Sequence, residues 1–244
     1  METAGPEWAV LTWNIQGAKR TDLGRVASVI AAEQPDVVVL QEARRPQAER
    51  LAGDLGMAHV WNEKHHPFRP FFPSRAEGAA ILSPHTLRET GHVRVSDTTR
   101  KRSYRRRIVQ WAVVERSNRS AARVFNAHLS PHDMDDRRRI EAQRIAEIAA
   151  SFGGRPPTIV AGDLNDAGTP VIVAILPGIE ALDPPPTNPS ERPTQALDHV
   201  LVPAEATQVS VSAPGGGNVW AELSDHLPLT VRFVLDPAPG GLAP

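Results

Sequence analysis

The stretch IVAGDLND, residues 159–166, carries an apolar run directly into a group of polar side chains. Its first half is β-branched, which predicts a buried strand that ends at the acid. Asp163 and Asn165 stand two positions apart, and alternation along a strand puts both side chains on one face. Gly162 precedes the acid and leaves space beside it. The stretch therefore predicts a polar site at the end of a buried strand.

The same change from apolar strand to polar side chain recurs along the chain. Strands are predicted at WAVLTWNI (8–15), VVVL (37–40), RVFNAHL (123–129), LDHVLVP (197–203) and LPLTVRFVL (227–235). Their ends carry carboxylates, amides and imidazoles that a strand end does not need for folding: Asn14, Glu42, His128, Asp163 with Asn165, Asp198 and Asp225 with His226. Polar residues gathered at one rim of stacked sheets converge on a common cleft.

Three helices and one hairpin accompany these strands in the sequence pattern. Helical spacing follows Asp22, a second helix is predicted over 47–55 with Gly56 ending it, and a third over 135–150. Residues 108–128 read as a hairpin that delivers His128 at the end of its second strand. Residues 62–76, 92–106 and 166–193 are predicted to be loops.

The composition limits the kinds of catalytic and metal-binding side chains, but it does not indicate a binding partner. The 27 Lys and Arg residues nearly balance the 28 Asp and Glu residues, so net charge alone indicates neither nucleic acid nor membrane. The chain has no cysteine, which excludes disulfides, thiolate zinc sites and cysteine nucleophiles. Oxygen and imidazole ligands remain, and hard oxygen ligands suit Mg²⁺, Mn²⁺ or Ca²⁺.

The 244 residues are expected to form a single domain over 8–235, with flexible termini at 1–7 and 236–244. Neither a signal peptide nor a membrane span is visible in the sequence. We therefore expect a cytoplasmic protein, and we expect a monomer.

Seven motifs together resemble the endonuclease/exonuclease/phosphatase superfamily, the group that includes DNase I. They are LTWNIQG, VVVLQEA, GAAILSP, FNAHLS, IVAGDLND, ALDHVLV and LSDHLPL, and they occur in the family's order from about Trp8 to Leu235. The resemblance implies an α/β fold, a four-layer α-β-β-α sandwich of two mixed, mostly antiparallel sheets flanked by helices. It also implies a site at one rim of the two sheets.

The resemblance assigns roles to the polar strand ends. Metal ligation by Mg²⁺ or Mn²⁺ is implied for Glu42, with Asn14 beside it and Asp225 in support. A catalytic role is implied for Asp163, Asn165, His226, Asp198 and His128. In this scheme Asp163 orients or deprotonates the attacking water and Asn165 holds that water or a phosphate oxygen. His226, kept charged by Asp198, contacts the scissile phosphate, and His128 is a second phosphate contact or acid.

Elementary chemistry agrees with these roles. Phosphodiester hydrolysis needs an in-line water, neutralisation of the phosphate oxygens and help for the leaving oxygen. An imidazole paired with a carboxylate has a raised pKa and can donate to an oxyanion near neutral pH. Structural readings also exist, since Asp163 fits an Asx turn and Asn14 fits a turn cap.

Two basic runs bear on the substrate. RKRSYRRR (100–107) is either a solvated loop or a surface for a phosphate backbone, and Arg107 is its member best placed to reach substrate. Arg137–Arg139 form the second run. The chain departs from many relatives in having His199 after Asp198, where they carry an aromatic residue. It departs from the abasic-site repair enzymes, which use a catalytic tyrosine, because its one tyrosine, Tyr104, lies within a basic loop.

The leading hypothesis is a metal-dependent phosphodiesterase that acts on DNA or RNA by direct attack of water. A second hypothesis is a phosphatase or phosphodiesterase for a small-molecule or lipid-linked phosphate, such as an inositol phosphate or a sphingomyelin-like head group. A third is a binding module that keeps the fold without chemistry. The sequence argues against the third, because none of the expected acids, amides and imidazoles is missing.

Overall fold

The computed structural model describes residues 7–235 except 18, 20 and 132. The expectation of flexible termini lies outside these residues, apart from Glu7, which opens the first strand. The strands are β1 (Glu7–Asn14), β2 (Val37–Arg44), β3 (Ala58–His65), β4 (Glu77–Ser83), β5 (Thr86–Arg94), β6 (Ile108–Glu115), β7 (Ala121–His128), β8 (Thr158–Asp163), β9 (Ile179–Glu180), β10 (Asp198–Pro203), β11 (Thr207–Ser212) and β12 (Leu229–Val234). The helices are α1 (Leu23–Glu33), α2 (Arg45–Leu55), α3 (Asp135–Ser151) and α4 (Asn218–Ala221).

Twelve strands form two six-stranded sheets that pack face to face. One sheet has the order β11-β12-β1-β2-β4-β3 and the other the order β5-β6-β7-β8-β10-β9. The pairs β1–β2 and β7–β8 are parallel, and the remaining pairs are antiparallel. Helices α1 and α2 cover the outer face of the first sheet, and α3 covers the second. The predicted four-layer α-β-β-α sandwich is confirmed.

The central strands are apolar on both faces because each face packs into a different core. In β2, Val37 and Val39 belong to the core between the sheets, whereas Val38 and Leu40 pack towards α1 and α2. A strand buried on both sides loses the alternating polar pattern of a surface strand. The run VVVL therefore contributes residues to two cores.

All four strands that the sequence did not indicate lie at sheet edges. They are β3, β5, β9 and β11, and each is the first or last strand of its sheet. The expected loops were therefore wrong in part, since β3 continues to His65, β5 continues to Arg94, and β9 lies within 166–193. Most residues of β5 and β11 are exposed, so they carry little of the apolar pattern that indicates a strand.

Strand direction brings the polar residues to one rim. Asn14 ends β1, His128 ends β7 and Asp163 ends β8, all at the same side of the sandwich. Asp198 opens β10, which runs antiparallel to β8, and it pairs directly with Asp163. His226 comes just before β12, which runs antiparallel to β1. Ends and beginnings of strands thus meet at one place.

Within the part of the chain that the structure describes, no helix has the length and apolar character needed to cross a membrane.

Gly162 allows β7 and β8 to approach each other next to Asp163. Its φ is +145°, and a Cβ at this position would lie 1.8 Å from the carbonyl oxygen of Ala127. That oxygen is backbone and cannot move away as a flexible side chain would. Glycine is therefore required one residue before Asp163.

Replacing Gly162 with alanine is expected to lower the free energy of unfolding by roughly 1–3 kcal/mol, because the methyl group forces the two strands apart. Urea unfolding followed by circular dichroism measures this change. Gly53→Ala is the matched control, since Gly53 lies exposed within α2 and an added Cβ meets nothing within 4 Å. The control is expected to raise the same free energy by about 0.5–1 kcal/mol. A Gly162→Ala protein as stable as the wild type would contradict the close approach.

Candidate active site

The carboxylate of Asp163 lies at the centre of the rim. Its Oδ1 accepts a hydrogen bond from the backbone N of Asn165 at 3.1 Å, which is the predicted Asx turn. Its Oδ2 accepts from Nδ2 of Asn14 at 3.1 Å and lies 3.6 Å from Nε2 of His128 and 3.7 Å from Nε2 of His226. One oxygen thus holds the loop while the other faces the site. The Asx turn predicted for Asp163 is therefore present, and its second oxygen is left facing Asn14 and the two histidines.

Burial raises the pKa of Asp163 to about 6; His226 opposes the rise and Asp198 adds to it. A carboxylate with a pKa near neutrality is suited to accept a proton from water. Asp163 therefore has the environment that a general base needs.

Asn165 reaches the site by a route that strand alternation does not describe. The strand β8 ends at Asp163, and Asn165 has a φ of +51°, in the left-handed region. Its Nδ2 donates to the carbonyl oxygen of Leu129 at 3.0 Å. The argument that a continuous strand aligns Asp163 with Asn165 is therefore wrong, although the two residues do lie together through the turn.

Asp198 and His226 form a buried ion pair. Nδ1 of His226 lies 2.7 Å from Oδ2 of Asp198, and the same oxygen accepts from the hydroxyl of Thr187 at 2.6 Å. Burial disfavours the imidazolium, but the carboxylates of Asp198 and Asp163 outweigh it and raise the pKa of His226 to about 10. The ring is protonated at neutral pH, and its Nε2 points its proton towards Asp163.

His128 has the opposite protonation state. Burial, with the positive charges of Arg107 and Lys64, lowers its pKa well below the ordinary value. Its Nε2 faces Asp163, and its Nδ1 is buried without a hydrogen-bond partner among the described residues. A neutral imidazole can donate from one nitrogen and accept at the other.

Glu42 lies in a β-bulge of β2. The pairing between β2 and β4 shifts register between Leu40 and Ala43, and Glu42 has a φ of +55°. A positive φ in a residue other than glycine is a strained conformation that is concentrated at functional sites. Burial, followed by the negative charges of Glu77 and Asp225, raises the pKa of Glu42, and the positive charge of Lys64 and a hydrogen bond from Asn14 oppose the rise. The bulge therefore holds a carboxylate among other carboxylates.

Asn14 and Asp225 complete this side of the rim. Oδ1 of Asn14 accepts from the backbone N of Gln16 at 3.1 Å, which is the predicted turn cap, while its amide group reaches Asp163. Asp225 is exposed, and its Oδ2 accepts from Nε2 of Gln16 at 3.3 Å. Gln16 thereby links Asn14 to Asp225.

Three residues near Glu42 were not indicated by the sequence as members of the site. Lys64 is buried, forms an ion pair with Glu77, and has its pKa lowered by burial and by Arg107. Burial lowers the pKa of His65 to about 4, and its Nδ1 lies 3.5 Å from Glu77. Lys64 and His65 end β3 inside the interval 62–76 that the sequence pattern assigned to a loop, and Glu77 opens β4 directly after that interval. A correct assignment of β3 would have directed attention to Lys64.

Arg107 lies beneath the surface and not on it. The residue is 4% exposed, and its Nη1 donates to the carbonyl oxygen of Tyr104 at 3.1 Å. Its positive charge lowers the pKa of both Lys64 and His128. The structure therefore brings Arg107 close to the site as a buried charge.

Two groups of residues offer ligand atoms for a cation. Asp163, Asp198 and His226 present such atoms within 4.8 Å of one another. However, the carboxylates of Asp198 and Asp163 raise the pKa of His226 to about 10, so a cation at this group has to displace a proton from the imidazole. The second group, Glu42 with Asn14 and Asp225, offers hard oxygen donors and an excess of negative charge that a divalent cation would relieve. The second group fits Mg²⁺ or Mn²⁺ better.

A family model described as the Endonuclease/Exonuclease/phosphatase family matches residues 11–226. The chain belongs to this family. Its members act on phosphate esters and generally depend on divalent metals. Sequence comparison with curated proteins gives no significant match.

Solved structures of the family share the fold at low sequence identity. A family protein from Bacteroides vulgatus has 17% identity and a TM-score of 0.78, over 95% of this chain and 100% of that one. The human Nocturnin catalytic domain with bound sulfate has 20% identity and a TM-score of 0.73, over 95% and 96%. The Bacteroides thetaiotaomicron mannosyl-6-phosphatase has 16% identity and a TM-score of 0.71, over 93% and 100%.

The Asp198–His226 pair makes a titration of His226 informative. Asp198→Asn keeps an acceptor for Thr187 but removes the charge, so the pKa of His226 is expected to fall from about 10 by about 1 to 3 pH units. Because the folded pKa is raised above the ordinary 6.5, the ion pair stabilises the protein fully below about pH 6.5, and this stability is lost as pH rises through about 10. NMR of the imidazole nitrogens and unfolding at several pH values measure the two effects.

A second aspartate–histidine pair provides the control for this titration. Asp36 lies 2.7 Å from Nε2 of His85 and comes just before β2, at the opposite rim. Asp36→Asn is expected to leave the titration of His226 unchanged. If Asp198→Asn also left it unchanged, the pairing would not be the source of the raised pKa.

Proposed function

We propose that this protein is a divalent-metal-dependent phosphodiesterase that hydrolyses nucleic acid by direct attack of an activated water. The observation that carries the proposal is the pair of opposed charge states at Asp163. A buried carboxylate with a pKa of about 6 faces a histidine with a pKa of about 10 across 3.7 Å. At neutral pH one group can accept a proton while the other supplies positive charge.

Asp163 acts as the base in this mechanism. Oδ2 accepts the proton of the attacking water, while the hydrogen bond from Asn165 to Oδ1 keeps the carboxylate in place. Asn14 donates to the same Oδ2 and so fixes its direction. Positioning the base and the water in advance removes much of the entropic part of the barrier. A covalent enzyme intermediate is not needed.

The two histidines act on the phosphate. His226, held protonated by Asp198, donates from Nε2 to a non-bridging oxygen whose charge grows in the transition state. His128 is neutral, so its Nε2 proton serves as a second hydrogen bond to phosphate without adding charge. Asn165 has its side-chain oxygen left to orient the water or a phosphate oxygen, since its Nδ2 is bound to Leu129. Arg107 contributes to the positive potential from below the site.

Glu42, Asn14 and Asp225 would hold Mg²⁺ or Mn²⁺. When bound, the ion neutralises phosphate charge and stabilises the leaving oxygen. Glu42 supplies the main carboxylate, Asn14 positions it by a hydrogen bond, and Asp225 adds charge from the exposed side.

Nucleic acid is the preferred substrate because positive charge extends away from the rim. The run 100–107 adjoins the site through Arg107 and continues outward as exposed arginine and lysine residues. A small phosphate has no need of such an extension, whereas each further phosphate of a strand gains from it.

A phosphatase for a small-molecule phosphate is the second candidate. The fold match to the Bacteroides thetaiotaomicron mannosyl-6-phosphatase supports it, since the shared fold extends over 93% of this chain and 100% of that one. The two candidates differ in one product, because a phosphatase releases inorganic phosphate and a nuclease releases none from an intact strand.

Hydrolysis of single- and double-stranded DNA and RNA with Mg²⁺ or Mn²⁺ tests the leading candidate. Asp163→Ala is expected to reduce kcat by on the order of 10² to 10⁴, because the base is lost. Asp166→Asn is the matched control, since Asp166 instead accepts a hydrogen bond from the backbone of Val171 within the following loop. Phosphate release from a panel of phosphomonoesters, with no cleavage of any strand, would favour the second candidate. No activity on either set would contradict both.

Binding of Mg²⁺ measured by calorimetry tests the metal ligands. Glu42→Gln is expected to weaken binding at least about tenfold, because even residues that only support a ligand change affinity by about 10- to 100-fold. Glu49→Gln on α2 is the control, since Glu49 is exposed and pairs with Arg45. Binding that survives Glu42→Gln and is lost in Asp198→Asn would instead place the ion at Asp163, Asp198 and His226.

A further inference from the structure

Two loops next to the rim form one continuous surface, which we call the basic–aromatic face and define as residues 66–76 and 96–107. The backbone N of His66 donates to the carbonyl oxygen of Lys101 at 2.8 Å, and the guanidinium of Arg102 donates to the carbonyl oxygen of Arg69. These bonds join the loops to each other. The basic–aromatic face therefore has a defined shape.

The same face is attached to the site. Nη1 of Arg106 donates to the carbonyl oxygen of Lys64 at 3.0 Å, and Arg107 binds the hydroxyl of Ser96 through its backbone N at 2.8 Å. Lys64 lies beside Glu42, and Arg107 lies beside His128. The face thus begins where the catalytic rim ends.

All the exposed aromatic side chains among the described residues lie on this face. Phe71 is 69% exposed, Tyr104 61%, Phe72 59% and Phe68 44%. Arg75 stacks on Phe68 and Phe72, at 5.3 and 5.1 Å from the ring centres. Phe71 is the most exposed ring and is left uncovered. Single exposed apolar residues are ordinary, but four rings in two joined loops are not.

A cleft of about 430 Å³ lies between the second loop and α3. Its walls include Arg100, Arg105 and Arg137, and none of these forms an ion pair with a carboxylate in the described part of the chain. The two acids of the cleft already have partners. Asp97 binds Arg144 at 2.7 Å, and Glu141 accepts from the N and Oγ of Ser130, both at 2.8 Å. The cleft therefore offers unpaired positive charge to an anion.

Resting on the proposed function, we propose that the basic–aromatic face binds single-stranded nucleic acid. A backbone phosphate outside the scissile position occupies the cleft with Arg100, Arg105 and Arg137, and bases stack on Phe71 and Tyr104. Rings beside guanidinium groups suit unpaired bases, whose faces are free, whereas a duplex hides those faces. A small phosphomonoester would use neither feature.

The test measures binding of a labelled single strand of roughly 12 nucleotides, a length within the usual site sizes, by fluorescence anisotropy. The Asp163→Ala protein prevents cleavage, and the wild type in EDTA repeats the measurement without a substitution at the site. Phe71→Ser is expected to weaken binding at least about fivefold, because stacking of one base on an aromatic ring contributes about 1–3 kcal/mol to binding. Arg100→Gln is expected to reduce the slope of log affinity against log salt by about 0.7, one phosphate contact.

Matched controls lie away from the face. Val209→Ser removes an exposed apolar side chain from β11, which lies at the edge of the first sheet opposite to β3. Arg119→Gln removes an exposed arginine from the turn between β6 and β7, at the rim opposite to Arg107. Both are expected to bind the strand as the unsubstituted protein does.

Several results would overturn the inference. These are unchanged affinity in Phe71→Ser and Arg100→Gln, equal or tighter binding of a duplex of the same sequence, or binding to phosphatidylserine vesicles that requires Phe71 without binding of the strand. Hydrolysis of bis(p-nitrophenyl) phosphate by the wild type separates this inference from the proposed chemistry. If the protein hydrolyses bis(p-nitrophenyl) phosphate but does not bind the strand, only the proposed role of the basic–aromatic face is refuted. If it binds the strand but does not hydrolyse this substrate, only the proposed function is refuted.

Discussion

The hydrogen bonds of Asn126 hold the two sheets together just below the rim. Asn126 lies on β7, but its Nδ2 donates to the carbonyl oxygens of Leu40 and Ala80 in the other sheet, at 3.0 and 2.9 Å. Its Oδ1 accepts from Nε2 of Gln41 at 2.9 Å. Leu40 and Gln41 lie at the bulge of β2, so one amide satisfies the backbone where the bulge interrupts the ladder. A buried amide that is fully paired in this way fixes one alignment of the sheets.

The position of Glu42 follows from that alignment. The bulge places Glu42 at a φ of +55°, a strained conformation that costs about 1–3 kcal/mol and persists only when its surroundings enforce it. Asn126 and Gln41 supply this enforcement from below, and the hydrogen bond to Asn14 supplies it from the side. The candidate metal ligand is thus held by an interaction between sheets and not by its own strand.

The charged groups of the site come from both sheets and meet where the two sheets face each other. Asn14 belongs to the first sheet and Asp163 to the second, and the bond between them is 3.1 Å long. His226 precedes a strand of the first sheet and pairs with Asp198 of the second. Burial raises the pKa of Asp163 while the carboxylates raise that of His226, so opposite charge states coexist within 3.7 Å. Neither sheet alone contains this arrangement.

The sequence by itself determined the central strands and the residue types at the rim, because apolar strands buried on both faces and polar strand ends leave a local pattern. The four layers followed from its resemblance to the family. Only the tertiary structure decided which atoms meet. The edge strand β3 carries no such pattern, so Lys64 was found only by its ion pair with Glu77. Asn165 reaches the site through a left-handed turn, and Arg107 lies buried, and both follow from packing between distant segments. Local sequence records which side chains prefer water, whereas the distance between two strand ends depends on every layer packed around them.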